Sequence, residues 1–341
     1  MPMNKATAVS RHGFAVTAAP EGMARFRRDS DGRFVNLDGS GPHAFSAVYK
    51  WAVRDKLAGR RRKSPPRAAV PAVDVDPAAL RLLPGLGEPP RLVWLGHASW
   101  LIQIAGVSLL IDPVLGDSII GFTKRNGRAP LSVPMMPPID AQLVSHNHYD
   151  HMDMSSLRAI GAPVVVGLEN ERHFGAHLPV TELGWWDAVA LGSGVRVTYV
   201  PSQHWSRRSL ADSNRSLWGG LVIEAGGFSI YHSGDTAYFD GFREIGRRFP
   251  QLDAALLPIG AYDPEWFMSK QHMNPREALD AFRELGARRV VAMHWGTFKL
   301  TDEPLDEPPR LFRDEATTRG LDDSVARIAA VGEILTLPRA P

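Results

Sequence analysis

From Ser145 to Asp153 the chain reads SHNHYDHMD, with three histidines and two aspartates in the eight residues His146 to Asp153. That run holds a quarter of the 12 histidines in 341 residues. Imidazoles and carboxylates crowded this closely either hold metal or make a busy polar turn. The apolar stretch AQLV precedes the run, so the cluster sits on a loop at a strand end, where ligands converge without burying unpaired backbone. One run cannot fill two metal shells, since each catalytic ion wants about four ligands including an open position for water. The fold must therefore bring other segments to the same place. VTYVPSQH sets His204 just past an apolar strand, FSIYHSGD sets Asp235 past the next, and RRVVAMH sets His294 at the end of another. The chain has no cysteine, so any metal here is held by nitrogen and oxygen, and disulfides are excluded.

The rest of the sequence supplies strands for such a convergence. RLVWL, WLIQI and VSLLID are short apolar runs separated by turn residues. QLVS, VVVG, VRVTYV, WGGLVIE, FSIYH, AALLP and RRVVAM follow the same pattern. NPREALDAFRELGA predicts a helix: Asn274 caps it, Pro275 fits its first turn, Ala278, Leu279, Phe282 and Leu285 form its buried stripe, and Gly286 ends it. Hairpin-like strands come first, then strands alternating with helices. This order implies an α/β layer architecture of stacked sheets covered by helices.

Charge divides the chain. Residues 1–70 hold 14 Lys and Arg against 5 Asp and Glu, a balance of +9, while the remainder carries −7. Apolar residues from Phe45 to Leu57 (Phe45, Val48, Tyr49, Ala52, Val53 and Leu57) fall on one face of a helix, and GRRRKSPPR follows. This helix either rests on phospholipid headgroups or packs on its own domain with a solvated basic tail. Seven prolines between residues 64 and 90 read as a linker or wrapping arm. The expected organisation is a basic N-terminal extension at 1–70, a Pro-rich linker or wrapping arm at 71–90 and a domain carrying the histidine run at 91–341. No apolar run of eighteen residues occurs, and the N-terminus does not read as a signal peptide, so a cytoplasmic protein is expected.

With these residues in view, the H-x-H-x-D-H run resembles the marker of the metallo-β-lactamase superfamily. PSQHWSRRSL, LWGGLVIE, GDTAYF, PIGAYDPEWFM, QHMNP, HWGTF and EPLDEPP, spread in order between Phe34 and Pro309, resemble the phospholipases D that hydrolyse N-acyl-phosphatidylethanolamine. The resemblance implies an αββα four-layer sandwich of two mixed sheets with helices outside. It implies two divalent ions, zinc with iron or manganese as alternatives, the first on His146, His148 and His204. The second would sit on Asp150, His151 and His294, with Asp235 bridging. Asp150 would aim the nucleophilic water, and Gln271 and His272 would line the site, with His272 polarising the phosphate or assisting the leaving group. His97 and Asp112 match superfamily blocks and are expected to support the ligands. Arg207 and Arg208 either bind an anionic headgroup or are solvated, the second being expected, and His12, His43, His173, His177 and His232 receive no role.

The function implied is phosphodiester hydrolysis of a phospholipid to phosphatidic acid and N-acylethanolamine, with peripheral membrane contact through residues 45–67. No nucleic-acid partner is expected, and the oligomeric state is open, a homodimer included. Two alternatives stand beside it: hydrolysis of a soluble sugar-phosphate lactone by the same activated water, and a non-catalytic metal-binding regulator. The full set of ligand-type residues argues against the last.

Overall fold

The computed structural model describes residues 14–176 and 178–338, excluding the side chain of Phe45. His12 and His177 lie outside the described residues. Two mixed sheets pack face to face. In one, the antiparallel strands Arg91–Gly96, Ser99–Ile104 and Val107–Ile111 continue into the parallel strands Ala141–Val144, Val164–Gly167 and Val180–Leu183, and Ile334–Thr336 closes the other edge. The second sheet runs from Ala188–Ala190 through Arg196–Val200, Gly220–Ala225 and Phe228–His232 to the parallel strands Ala254–Pro258 and Val290–Met293. All the sequence-predicted strands form.

These strands read as unbroken apolar runs because both of their faces are covered. Leu92 and Trp94 face the central core between the sheets, while Val93 and Leu95 face an outer cluster with Leu80 and Leu131. Leu143 and Val165 likewise point inward, and Val144, Val164 and Val166 point out against Leu157 of the helix Met154–Ile160. The period of two in side-chain direction thus builds two hydrophobic layers from one strand. Helices Gly241–Arg248, Pro275–Leu285 and Glu307–Thr318 contribute Phe242, Ile245, Leu279, Phe282 and Phe312 to the core cluster on the second sheet's side. The result is the four-layer αββα arrangement implied by the resemblance. Helix Pro275–Leu285 starts in a capping box, Asn274 accepting from the Glu277 N–H at 2.9 Å and Glu277 accepting from the Asn274 N–H at 2.9 Å.

The N-terminal segment lies on the sheets. Val16–Thr17 adds an edge strand to Ala188–Ala190, and Arg27–Arg28 pairs with Phe34–Val35. Phe34 is fully buried in the core, and Arg25 forms an ion pair with the buried Asp187. In the Pro-rich segment Val75 and Leu80 are buried, and the Val73 N–H donates to Val331 O at 2.8 Å. The helix Phe45–Tyr49 continues as a wider π-helical turn, Lys50–Asp55. Its predicted stripe divides: Val48 turns toward a cavity, whereas Tyr49, Val53 and Leu57 are exposed. Trp51, absent from the predicted stripe, stacks on Phe267 at 5.0 Å. The basic run is partly tied down, with Arg61 on Asp302 and Arg62 on Glu307.

Removing the capping side chain in Asn274→Ala is expected to lower unfolding stability by about 1 kcal/mol. A urea titration checks this: the midpoint should fall with no change in slope.

Candidate metal centre

Topology gathers the clustered side chains. Strands Arg196–Val200, Phe228–His232 and Val290–Met293 run in one direction in the second sheet, because Gly220–Ala225 is antiparallel to the first two and Ala254–Pro258 parallel to the last two. Their C-terminal ends therefore share one edge, and the loops beyond them carry His204, Asp235 and His294. The facing sheet delivers His146, His148, Asp150 and His151 from the end of Ala141–Val144. Gly234, at φ +60°, makes the turn before Asp235, and a Cβ there would lie 2.7 Å from the Ser145 Cβ. Only glycine fits that approach.

The side chains converge in two overlapping groups. His148 Nδ1 lies 2.8 Å from His146 Nε2 and 3.2 Å from His204 Nε2. Asp235 sits between the groups: Oδ2 is 3.2 Å from His151 Nε2 and 3.8 Å from His204 Nε2, and Oδ1 is 3.1 Å from His294 Nε2. Asp150 Oδ2 is 3.7 Å from both His151 Nε2 and His294 Nε2. All seven sequence-nominated residues thus lie in one cluster, and the structure adds His97 beside Asp150 and His272 beside Asp235 to the sets whose donor atoms lie within 4.8 Å of one another.

Three of these cluster-facing atoms are buried with no hydrogen-bond partner, His151 Nε2, His294 Nε2 and Asp235 Oδ1, as is His272 Nδ1 beside Asp235. Orphan polar atoms are costly singly and rare in groups. Imidazole and carboxylate donors oriented toward a common centre, with no thiolate, suit a borderline or harder divalent ion.

The ligand-type residues are held from behind. Asp112, fully buried, accepts from His151 Nδ1 at 2.7 Å, from the Ser145 N–H at 2.7 Å and from Ser145 Oγ at 2.6 Å. This fixes the His151 ring so that Nε2 faces the cluster. His97 Nε2 meets Asp150 Oδ2 at 2.9 Å, and the His294 N–H donates to His97 O at 3.0 Å. His97, Asp112 and His294 all have left-handed backbones, at φ 56°, 41° and 59°. Strain of this kind in non-glycine residues collects at functional sites. Neither His97 nor Asp112 lies in the histidine run; each contacts it from outside, His97 through Asp150 and Asp112 through Ser145 and His151.

Burial is the largest influence on every imidazole here. With repulsion among neighbouring rings it pushes His146 and His204 well below the usual histidine range and His148 down to about 4. These rings are neutral at pH 7 and keep a lone pair to donate. Burial acts the same way on His151 and His294, but carboxylates overcome it. Asp235, Asp150 and Asp112 hold His151 well above the usual range, and Asp235 and Asp150 raise His294 to about 9. Without a cation, protons on these two rings answer the buried carboxylates.

Arg208 departs from the expectation of a solvated side chain. Its Nη1 donates to Asn147 O at 2.9 Å and to Met152 O at 2.8 Å, its guanidinium lies 4.2 Å above the Tyr149 ring, and Tyr149 Oη donates to Arg208 O at 2.6 Å. Contacts made across some sixty residues tie the His204 loop to the histidine run. Arg207 lines a cavity of about 610 Å³ whose floor includes His148, Asp150 and Asp235. Gln271 and His272 also line it, and Gln271 O meets His204 Nδ1 at 2.9 Å. The N-terminal helix and its flank supply Pro42, His43, Val48 and Trp51 to its wall. His43 is thus a wall residue rather than a bystander. His232 meets Ala98 O at 3.0 Å, away from the cluster.

Comparison with known proteins places the chain in a family. Residues 108–295, which include all seven nominated residues, match the family model described as a beta-lactamase superfamily domain. The chain is 34% identical over 263 residues to N-acyl-phosphatidylethanolamine-hydrolyzing phospholipase D 1 of Caenorhabditis elegans, covering 71% of this chain and 74% of that protein. It is 34% identical over 285 residues to the mitochondrial N-acyl-phosphatidylethanolamine-hydrolyzing phospholipase D of Saccharomyces cerevisiae, covering 74% of this chain and 61% of that protein. Its fold resembles that of Igni18, a metallo hydrolase from the archaeon Ignicoccus hospitalis, with a TM-score of 0.56, 22% identity, and coverage of 74% of this chain and 99% of that one.

Metal uptake at pH 7 should release protons, because ligating His151 and His294 requires their neutral form. In weakly buffered solution, zinc titration of the apoprotein should acidify the medium, and the release should shrink as the starting pH rises toward 9, the His294 value. Affinity should fall as pH drops.

Proposed function

The chain belongs to the beta-lactamase superfamily and is a metal-dependent hydrolase; from that premise we propose a phosphodiesterase of the phospholipase D type that holds two divalent ions. Its substrates are N-acyl-phosphatidylethanolamine-like phospholipids, and its products phosphatidic acid and an N-acylethanolamine. The observation that carries the reading is a two-lobed ligand cluster, joined at Asp235, on the floor of an apolar-walled cavity. The 34% identity to the two phospholipases D supports the same substrate class.

His146, His148 and His204 would hold one ion and Asp150, His151 and His294 the other, with Asp235 shared between the two groups. Zinc is the ion these donors suit best, with iron and manganese as alternatives. When bound, such ions lower the pKa of a water toward ~7 and offset charge growing on phosphorus. The protein's own groups do the positioning. Asp150, fixed by His97 at 2.9 Å, accepts a hydrogen bond from the attacking water and aims it. His272 stays neutral at pH 7, burial holding its pKa at about 4, so it acts through its ring N–H on a phosphate oxygen and not as a pre-charged acid. Gln271 steadies the phosphate from the cavity wall. Water forms the new bond to phosphorus and gives up a proton, the bond from phosphorus to the ethanolamine oxygen breaks, and that proton ends on the leaving oxygen, giving phosphatidic acid and the N-acylethanolamine alcohol.

The cavity wall suits acyl chains: Val48, Trp51, Ile119, Phe267 and Leu300 line it. Leu210 on its rim is 92% exposed, and Phe122, in the hairpin turn after Ile119, is 86% exposed. Together with Tyr49, Val53 and Leu57 and the basic residues around them, these tips suit shallow insertion into an anionic lipid surface. Peripheral contact therefore extends beyond residues 45–67 to the hairpin and the 210 loop.

Elemental analysis is expected to give about two zinc-like ions per chain, with fewer in Asp235→Asn and His148→Ala. Purified protein assayed against N-acyl-phosphatidylethanolamine, a bis-aryl phosphodiester and a sugar lactone should favour the first. Exclusive lactone turnover would overturn the reading. Phe122→Ser with Leu210→Ser should weaken co-sedimentation with anionic vesicles and spare hydrolysis of the soluble phosphodiester.

A further inference from the structure

Asn36 belongs to the N-terminal segment, 168 residues before His204, yet its side chain pairs with the His204 backbone on both sides. Asn36 Oδ1 accepts from the His204 N–H at 3.0 Å, and Asn36 Nδ2 donates to His204 O at 3.0 Å. The orientation of the amide is fixed by chemistry. Trp218 Nε1, which can only donate, also reaches Asn36 Oδ1 at 3.0 Å, so the oxygen must face that side. Asn36 is 2% exposed, and one polar neighbour, Ser40, accepts a further bond from Nδ2 at 3.2 Å. The adjoining residue is held as well, Gln203 Nε2 donating to Asp38 Oδ2 at 2.8 Å and to Ser40 Oγ at 3.0 Å.

We propose that Asn36 is a positioning residue for the metal centre: its amide seats His204 in the cluster, so docking of the N-terminal arm and loading of the metal are one linked equilibrium. This rests on the reading of His204 as a ligand. A backbone gripped on both its N–H and C=O has little freedom to rotate, and a ligand held a few tenths of an ångström out of place loses affinity. Linkage makes the effect reciprocal. If the docked arm strengthens metal binding, bound metal must strengthen arm docking by the same factor. The same segment continues into His43, Val48 and Trp51 in the cavity wall, so a loaded centre also favours a closed wall. The family match begins at residue 108, and the arm lies outside it.

The test compares the full chain with Asn36→Ala, Asn36→Asp, His204→Ala and Leu252→Ala, the last opening a cavity just before strand Ala254–Pro258, at the sheet edge opposite the cluster. Zinc affinity is measured by chelator competition, and arm docking by trypsin cleavage within residues 25–33, with and without zinc. Asn36→Ala is expected to weaken zinc binding about 10- to 100-fold, and zinc should protect the arm of the parent chain but not of this variant. Asn36→Asp keeps the acceptor and loses the N–H, and should lose part of that affinity. Leu252→Ala should lower the apoprotein melting temperature at least as far as Asn36→Ala with zinc affinity unchanged. If His204→Ala loses zinc while both Asn36 variants bind it like the parent, the inference fails and the ligand assignment stands. It also fails if Leu252→Ala loses as much affinity as Asn36→Ala. If His204→Ala itself binds zinc like the parent, the ligand assignment fails and the inference falls with it.

Discussion

Asp235 is the residue on which the arrangement depends. Its two oxygens face His151 and His204 on one side and His294 on the other, within 3.1 to 3.8 Å. A carboxylate this deeply buried is stable only when opposite charge answers it. Burial disfavours its charge, but His151 and His294 hold its pKa well below the carboxylate range. The cluster therefore carries negative charge that either two protonated rings or bound cations must balance. That electrostatic demand suits the cleft to a cation and, where none is bound, to protons on His151 and His294.

The fold serves this demand by geometry. Three strands that point the same way in one sheet, and one in the facing sheet, end beside each other, and their loops need only a few residues to meet. Both sheets are buried on both faces, which makes the platform rigid, so small displacements of ligands are resisted by the packed core. Asp112 then sets the His151 ring and His97 the Asp150 carboxylate from behind, and Arg208 ties the histidine run to the His204 loop. The strained backbone at His97, Asp112 and His294 fits this picture, since a packed surround can hold conformations that a free chain would leave.

The N-terminal segment reads differently in space than along the chain. Its composition marks a basic extension with an amphipathic helix. In the folded protein Phe34 enters the core, Asn36 grips His204, and Val48 and Trp51 wall the cavity, while Tyr49, Val53 and Leu57 stay exposed. A helix with two apolar faces, one toward a cavity and one toward solvent, gives the same periodic signal as a helix with one wide face. Periodicity alone cannot divide the stripe.

What the sequence by itself determined is the chemistry and the layers. Runs such as RLVWL and VVVG specify strands buried on both faces, Asn274 and Gly286 bound a helix, the absence of cysteine limits ligands to nitrogen and oxygen, and four strand-end positions carry histidine or aspartate. These are local properties, written in periods of two and 3.6 residues and in side-chain type. Only the tertiary structure decided which atoms meet. The hold of Asn36 on His204, the grip of Arg208 on Asn147 and Met152, and the place of Asp235 between the two groups join residues dozens to more than a hundred positions apart. Such contacts depend on the path of the chain through two sheets, and no local pattern around Asn36 or Arg208 distinguishes them from solvated polar residues on a loop.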